Sequence, residues 1–104
     1  MRQIEPKDLK HSDQILDVRS DEERREVSLV WPHFVADLDD LDPEDFIERH
    51  DIDTTRPLYI ICRTGHRAAI AAVEFEEAGF PNVVVVKGGM QKAIEQGIPV
   101  KYGS

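Results

Sequence analysis

A chain of 104 residues, 40% hydrophobic and 33% charged, has the size and composition of one globular domain, and residues 1–104 are expected to form it. Its formal net charge of −8 argues against nucleic acid as a partner, since binding there rests on neutralising phosphates. No run of about 18 apolar residues marks a membrane span, MRQIEPKDLK lacks the apolar core of a secretory signal, and a lone cysteine, with no internal disulfide partner, fits the reducing cytoplasm.

Residues 6–9 read as one helical turn opened by Pro6. Residues 15–18, Ile-Leu-Asp-Val, are a short β-prone run. Residues 21–27 are charged and helix-prone, with Ser20 or Asp21 as cap and acids in the first turn to complement the dipole. Residues 33–36, after Trp31-Pro32, are a weak strand. Asp42-Pro43-Glu44-Asp45 is a helix start, with Asp as N-cap and Pro at the first helical position. Phe46, Ile47 and His50 follow it at helical spacing.

Residues 58–61 form an apolar strand suited to a buried parallel position. Residues 67–78 are helical, and Gly79 with Pro81 stops them. Residues 82–86 carry four valines in a row, a second buried strand. Gly88-Gly89 turn the chain into a last helix over 90–96, which Gly97 ends. Strands that alternate with helices imply an α/β fold, a mostly parallel central sheet flanked by helices on both faces. The reactive site of such a sheet lies beyond the C-terminal ends of its strands. Cys62 is at one such end, and Asp17 and Arg19, ending the first strand, fall on the same edge.

Charge is unevenly distributed. Residues 1–53 hold seventeen acids and seven bases, residues 54–104 four acids and six bases, and no acid occurs from Thr54 to Val73. The acidic half reads as a solvated surface. The acid-free window contains Arg56, Cys62, Arg63, His66 and Arg67, and a cationic loop on an acidic body would attract a small anion locally. A thiol becomes a nucleophile only as the thiolate, which helix N-termini and cationic side chains favour. The loop Cys62-Arg63-Thr64-Gly65-His66-Arg67 supplies both. Its amides, Arg63 to Arg67, are expected to curl around the sulfur as an anion cradle. Gly65 permits close approach or a positive φ. Thr64 is a candidate helix cap, Arg67 a candidate clamp on an anion, and Arg63 a candidate for the rim. His66 is read as contributing its backbone N–H more than its ring.

Taken together, Asp17-Val18-Arg19, the segment Ile60 to Ala68, Gly79-Phe80-Pro81-Asn82-Val83, Val86-Lys87-Gly88-Gly89-Met90 and Gly97-Ile98-Pro99-Val100 resemble the single-domain rhodanese family in order and spacing. The resemblance implies a sulfurtransferase. The cysteine at the Cys62 position takes sulfane sulfur from a donor such as thiosulfate as a persulfide, which the loop amides hold. It passes that sulfur to cyanide or a thiol acceptor and needs no metal or organic cofactor. Cysteine phosphatases use a C-x5-R loop sized for phosphate, whereas Cys62 to Arg67 is C-x4-R, a cradle suited to one sulfur atom. The chain departs from the family where a segment like G-H-I-P-G-A-x-N is usual, carrying Val27-Ser28-Leu29-Val30-Trp31-Pro32-His33-Phe34 instead. A family tryptophan in the last helix would fall near Ala93.

Other readings stand beside this one. Cys62 could be an inert core residue, and Asp17 and Arg19 a structural pair. His11, His33 and His50 have no metal-ligand spacing. The acid run 37–42 lacks the glycine and terminal Glu of a calcium loop and reads as a solvated helix start. Gly88-Gly89 without GxGxxG or a P-loop reads as a turn for close packing of the last helix. Trp31 is open between core and partner contact. The runner-up function is a sulfur carrier or regulatory module that docks on a partner protein, and a redox or arsenate-reducing use of the thiolate is third.

Overall fold

The computed structural model describes residues 1–103. Along the chain run β1 (Arg2–Ile4), β2 (Gln14–Asp17), α1 (Asp21–Glu26), β3 (Val27–Leu29), β4 (Phe34–Val35), α2 (Pro43–Arg49), β5 (Leu58–Ile61), α3 (His66–Glu77), β6 (Val83–Val86), α4 (Gly89–Glu95) and β7 (Val100–Tyr102), with 3-10 turns at Pro6–Asp8 and Leu38–Asp40. A five-stranded sheet has the order β1-β6-β5-β2-β4, and every neighbouring pair in it is parallel. Among the described residues no helix is long and apolar enough to cross a membrane.

Alternation along the strands divides the core in two. Leu16, Leu58, Ile60, Val83 and Val85 face α2 and α3, packing on Phe46, Ala68, Ala71, Ala72 and Phe75. Ile15, Ile61 and Val86 face the other way, against Leu9, Leu29, Met90, Ala93 and Ile98. Helices therefore cover both faces, which the alternation of elements in the sequence predicts. The buried stripe of α3 is mostly alanine, so the helix lies close to the sheet and its N-terminus comes down onto the end of β5. Trp31 is half-buried against the cluster that contains Ala93, with its ring edge to that of His11.

Three strands escape the sequence reading. β1 is a short edge strand with two of its three side chains exposed, so it carries no apolar alternation. It is recruited only by β6, Ile4 lying opposite Val86. β3 and β7 form an antiparallel ribbon of their own, Val27 opposite Tyr102 and Leu29 opposite Val100. The helix expected over 21–27 ends at Glu26, and Val27 adopts extended backbone because it joins that ribbon. Asp42 caps α2 through the amide of Asp45, with Pro43 behind it.

The chain leaves β2 toward β4 on one side and leaves β5 toward β6 on the other. The boundary between β2 and β5 is thus a topological switch point, where crevices open in parallel α/β sheets. Asp17 pairs in register with Ile61. Asp17, Arg19 and Cys62 accordingly share one edge, at that switch point.

Candidate active site

Cys62 follows β5 directly and is 1% exposed. Its Sγ accepts the amide N–H of Gly65 at 3.0 Å and of Ala68 at 3.3 Å. Gly65 is the N-cap of α3, with φ at +112°. This left-handed turn is open to glycine and lets the chain double back over the sulfur. The first-turn amides of a helix have no partner inside it. Here the amide of Ala68, with that of the N-cap Gly65, donates to one buried sulfur at the positive end of a twelve-residue helix.

Two details differ from the sequence expectation. Thr64 does not cap α3: Gly65 holds that position and no side chain caps the helix, so the amides stay available to the sulfur. The amides on Sγ are those of Gly65 and Ala68, and Ala68 lies outside the loop segment expected to line it. Once the helix begins, its rise brings the third residue's N–H back over Cys62. Arg63, Thr64 and His66 are exposed.

The glycines after β6 complete the site. Met90 N–H donates to the Cys62 carbonyl at 2.8 Å and Gln91 N–H to the Arg63 carbonyl at 3.2 Å. A Cβ on Gly89 would stand 2.6 Å from the Arg63 carbonyl oxygen and closer still to that of Cys62, so only glycine fits. The reading of Gly88-Gly89 as a close-packing turn thus acquires a definite purpose: α4 docks on the backbone of the reactive loop.

Arg67 meets an acid that sequence reasoning passed over. Its Nη1 and Nη2 donate to Glu23 Oε1 and Oε2, both at 2.7 Å. Glu23 also closes a capping box with Ser20 at the start of α1. The only local signal was that Ser20-x-x-Glu23 pattern, which says nothing of a partner 44 positions away. Asp17 and Arg19 pair at 2.9 Å and are almost wholly buried. Arg19 also donates to the carbonyls of Val27 at 2.7 Å and Glu23 at 3.4 Å. Two ion pairs, Asp17–Arg19 and Glu23–Arg67, are thus joined through the main-chain carbonyl of Glu23, which Arg19 reaches. Among the described residues no group of three or more His, Cys, Asp and Glu is placed to hold a metal.

The Arg67 guanidinium holds the Glu23 carboxyl far below its ordinary value of 4.5, at about 2, although partial burial pushes the other way. A depressed folded value stabilises the protein fully above the unfolded value, and the contribution is lost as the folded carboxyl takes up its proton. The stability difference between wild type and Glu23→Gln should therefore be constant above about pH 4.5 and shrink as pH falls toward about 2. Urea midpoints across that window measure it. The difference is the proper readout, since Glu5 and Asp53, held low by Lys92 and Thr55, also lose stability in acid. A difference independent of pH would mean that the ion pair contributes nothing.

A parallel α/β sheet whose central strand ends in a thiol that accepts two amides from the start of a helix, at the switch point, defines a cysteine-loop α/β domain. The chain belongs to the rhodanese-like domain family, whose model matches residues 3–96. A rhodanese-related protein of Thermoplasma volcanium is 31% identical, with a TM-score of 0.73 over 97% of this chain and 98% of that one. The rhodanese-like domain of an Anabaena protein matches with a TM-score of 0.80 over 98% of this chain and 80% of that one, a likeness of fold at 20% identity. The adenylyltransferase and sulfurtransferase UBA4 of Lodderomyces elongisporus is 33% identical over 66 residues, or 64% of this chain. The chain spans 14% of that protein's length.

Proposed function

We propose that this domain is a sulfurtransferase that moves sulfane sulfur from an anionic donor to cyanide or a thiol through a persulfide on Cys62. The observation that carries the reading is the pair of backbone N–H groups on the sulfur of the chain's single cysteine. Family membership and the sulfurtransferase named among its relatives support it. With thiosulfate, the Cys62 thiolate attacks the outer sulfur. The Sγ–S bond forms as the donor S–S bond breaks, sulfite leaves with the electron pair, and a persulfide anion remains. Cyanide then attacks the outer sulfur, leaves as thiocyanate and restores the thiolate. Neither half needs an oxidant or a reductant.

The loop amides, from Arg63 to Arg67, receive the outer sulfur of the persulfide. Arg63 stands at the rim, where its charge draws an anion in. Asp17 and Arg19 act behind the loop by holding α1. In a second reading the domain is a persulfide carrier that discharges onto a partner protein. The single cysteine favours it, since no second thiol in the chain can resolve the persulfide.

Purified protein incubated with thiosulfate should gain the mass of one sulfur atom, and cyanide should convert that sulfur to thiocyanate over many turnovers. Sulfur uptake without turnover would favour the carrier. No uptake from any sulfane donor would sink both readings.

A further inference from the structure

Segment 27–34, in which this chain departs from the family pattern, borders an open groove of about 600 Å³. The floor is the outer face of the β3–β7 ribbon. Side chains alternate along a strand, so Ser28 and Val30 share one face with Lys101, which lies opposite Ser28. Val27, Leu29 and Val100 belong instead to the core cluster. α1 forms one wall, with Arg24 and Arg25, and Trp31-Pro32-His33 the other. The second wall is fixed. Trp31 packs on that same core cluster, and His33 Nδ1 donates to the Trp31 carbonyl at 2.7 Å.

The groove is opposite in sign to the molecule. Arg24, Arg25 and Lys101 line it against a single acid, Asp21, on a chain of net charge −8. Asp21 is already held by Arg24. Arg25 and Lys101 are exposed, and neither has an ion pair among the described residues. Val30, 57% exposed, adds apolar surface to the floor. Unpartnered cations beside an exposed apolar side chain and an aromatic wall complement a segment with carboxylates around an apolar residue. A nucleic acid fits poorly, because the acidic body around the groove repels a phosphate backbone. A short peptide segment can meet the groove alone.

We infer that this groove is a docking surface for an acidic segment of a partner protein, whose carboxylates reach Arg25 and Lys101 and whose apolar side chain covers Val30 and Trp31. The surface is separate from the Cys62 loop: α1 lines the groove with Arg24 and Arg25 and turns Glu23 to Arg67. The inference therefore stands independently of sulfur transfer.

Trp31 is the chain's single tryptophan, so its emission reports occupancy of the groove. The probes are the peptides Glu-Glu-Phe-Glu-Glu and Lys-Lys-Phe-Lys-Lys and an oligouridylate. The acidic peptide should shift the emission saturably, with Kd below about 1 mM, and binding should weaken about threefold or more as NaCl rises from about 50 to about 300 mM. Arg25→Glu/Lys101→Glu should raise Kd about tenfold or more. Lys7→Glu/Arg49→Glu makes the same change in net charge at exposed positions outside the groove, and should raise it less than about threefold. Val30→Ser should raise it about threefold through lost apolar contact. All five positions are exposed, so melting points should stay within about 2 °C of wild type. No emission shift at about 1 mM acidic peptide, or equal loss of affinity in the two charge-reversed variants, would overturn the docking surface. A stronger response to the lysine peptide or to the oligouridylate would overturn the assignment of an acidic protein segment.

Discussion

Cys62→Ser should abolish sulfur transfer, lowering thiocyanate formation by ~10³-fold or more, because a hydroxyl at neutral pH is a far weaker nucleophile than a thiolate and no base adjoins it. The variant should also fail to gain the mass of one sulfur from thiosulfate or a persulfide. The fold should survive. A serine hydroxyl can accept the Gly65 and Ala68 amides that now point at Sγ, and the cost in stability should be about 1 kcal/mol. Cys62→Ala is the useful contrast. It removes the acceptor altogether and leaves those amides facing a methyl group, so it should cost about 1–3 kcal/mol more than serine does. Thermal melts of the two variants beside their activities separate the sulfur's chemical role from its structural one. Residual transfer in Cys62→Ser above a few per cent of wild type would remove Cys62 from the mechanism.

Asp17→Ala should be the most destabilising single change at this edge of the sheet. Asp17 is fully buried and Arg19 is 2% exposed. The carboxylate accepts Arg19 N–H, Nε and Nη2 at 2.9 to 3.1 Å. Truncation strands a guanidinium in the interior, at a cost of about 3–5 kcal/mol. A domain of this size has roughly 5–15 kcal/mol in hand, and the midpoint of thermal unfolding should fall by roughly 15–25 °C.

The damage should reach the loop as well. α1 buries none of its side chains. It is held by Arg19, through the Glu23 and Val27 carbonyls, and by the Glu23–Arg67 pair. An Asp17→Leu/Arg19→Met double variant should recover much of the lost stability, since apolar replacements of both partners of a buried pair are often tolerated. It should not recover the placement of α1. A melting point within about 2 °C of wild type for Asp17→Ala would show that the pair is not desolvated as its burial implies.

Much of this architecture is legible in the chain because the signals are local. Asp42-Pro43 marks the start of α2, and Gly79-Phe80-Pro81 the end of α3, through caps and breakers that act within a turn. The apolar runs ending at Ile61 and Val86 read as buried strands because β-branched residues fill consecutive positions. The thiol at the end of β5, followed by a glycine-containing turn and a helix, follows from the order of residues alone. β1 and the β3–β7 ribbon are silent because they are short, partly exposed and stabilised by strands far away in the chain.

The site divides in the same way. Residue order placed Cys62 at a strand end before a helix, and put Asp17 and Arg19 on the same edge. Which amides touch the sulfur depends on the turn at Gly65: Gly65 takes the cap position expected of Thr64, and Ala68, beyond the expected loop, adds its N–H to the sulfur. Glu23 against Arg67 and Gly89 against the Cys62 carbonyl join residues 44 and 27 positions apart. No spacing rule foretells such contacts, because they exist only once α1 and α4 have docked on the sheet. The chain's own order determined a strand-end thiol before a helix N-terminus, since covalent sequence and local propensity suffice for that. The docking of α1 alone decided that the loop's arginine is neutralised, since an ion pair forms where packing brings two side chains within reach.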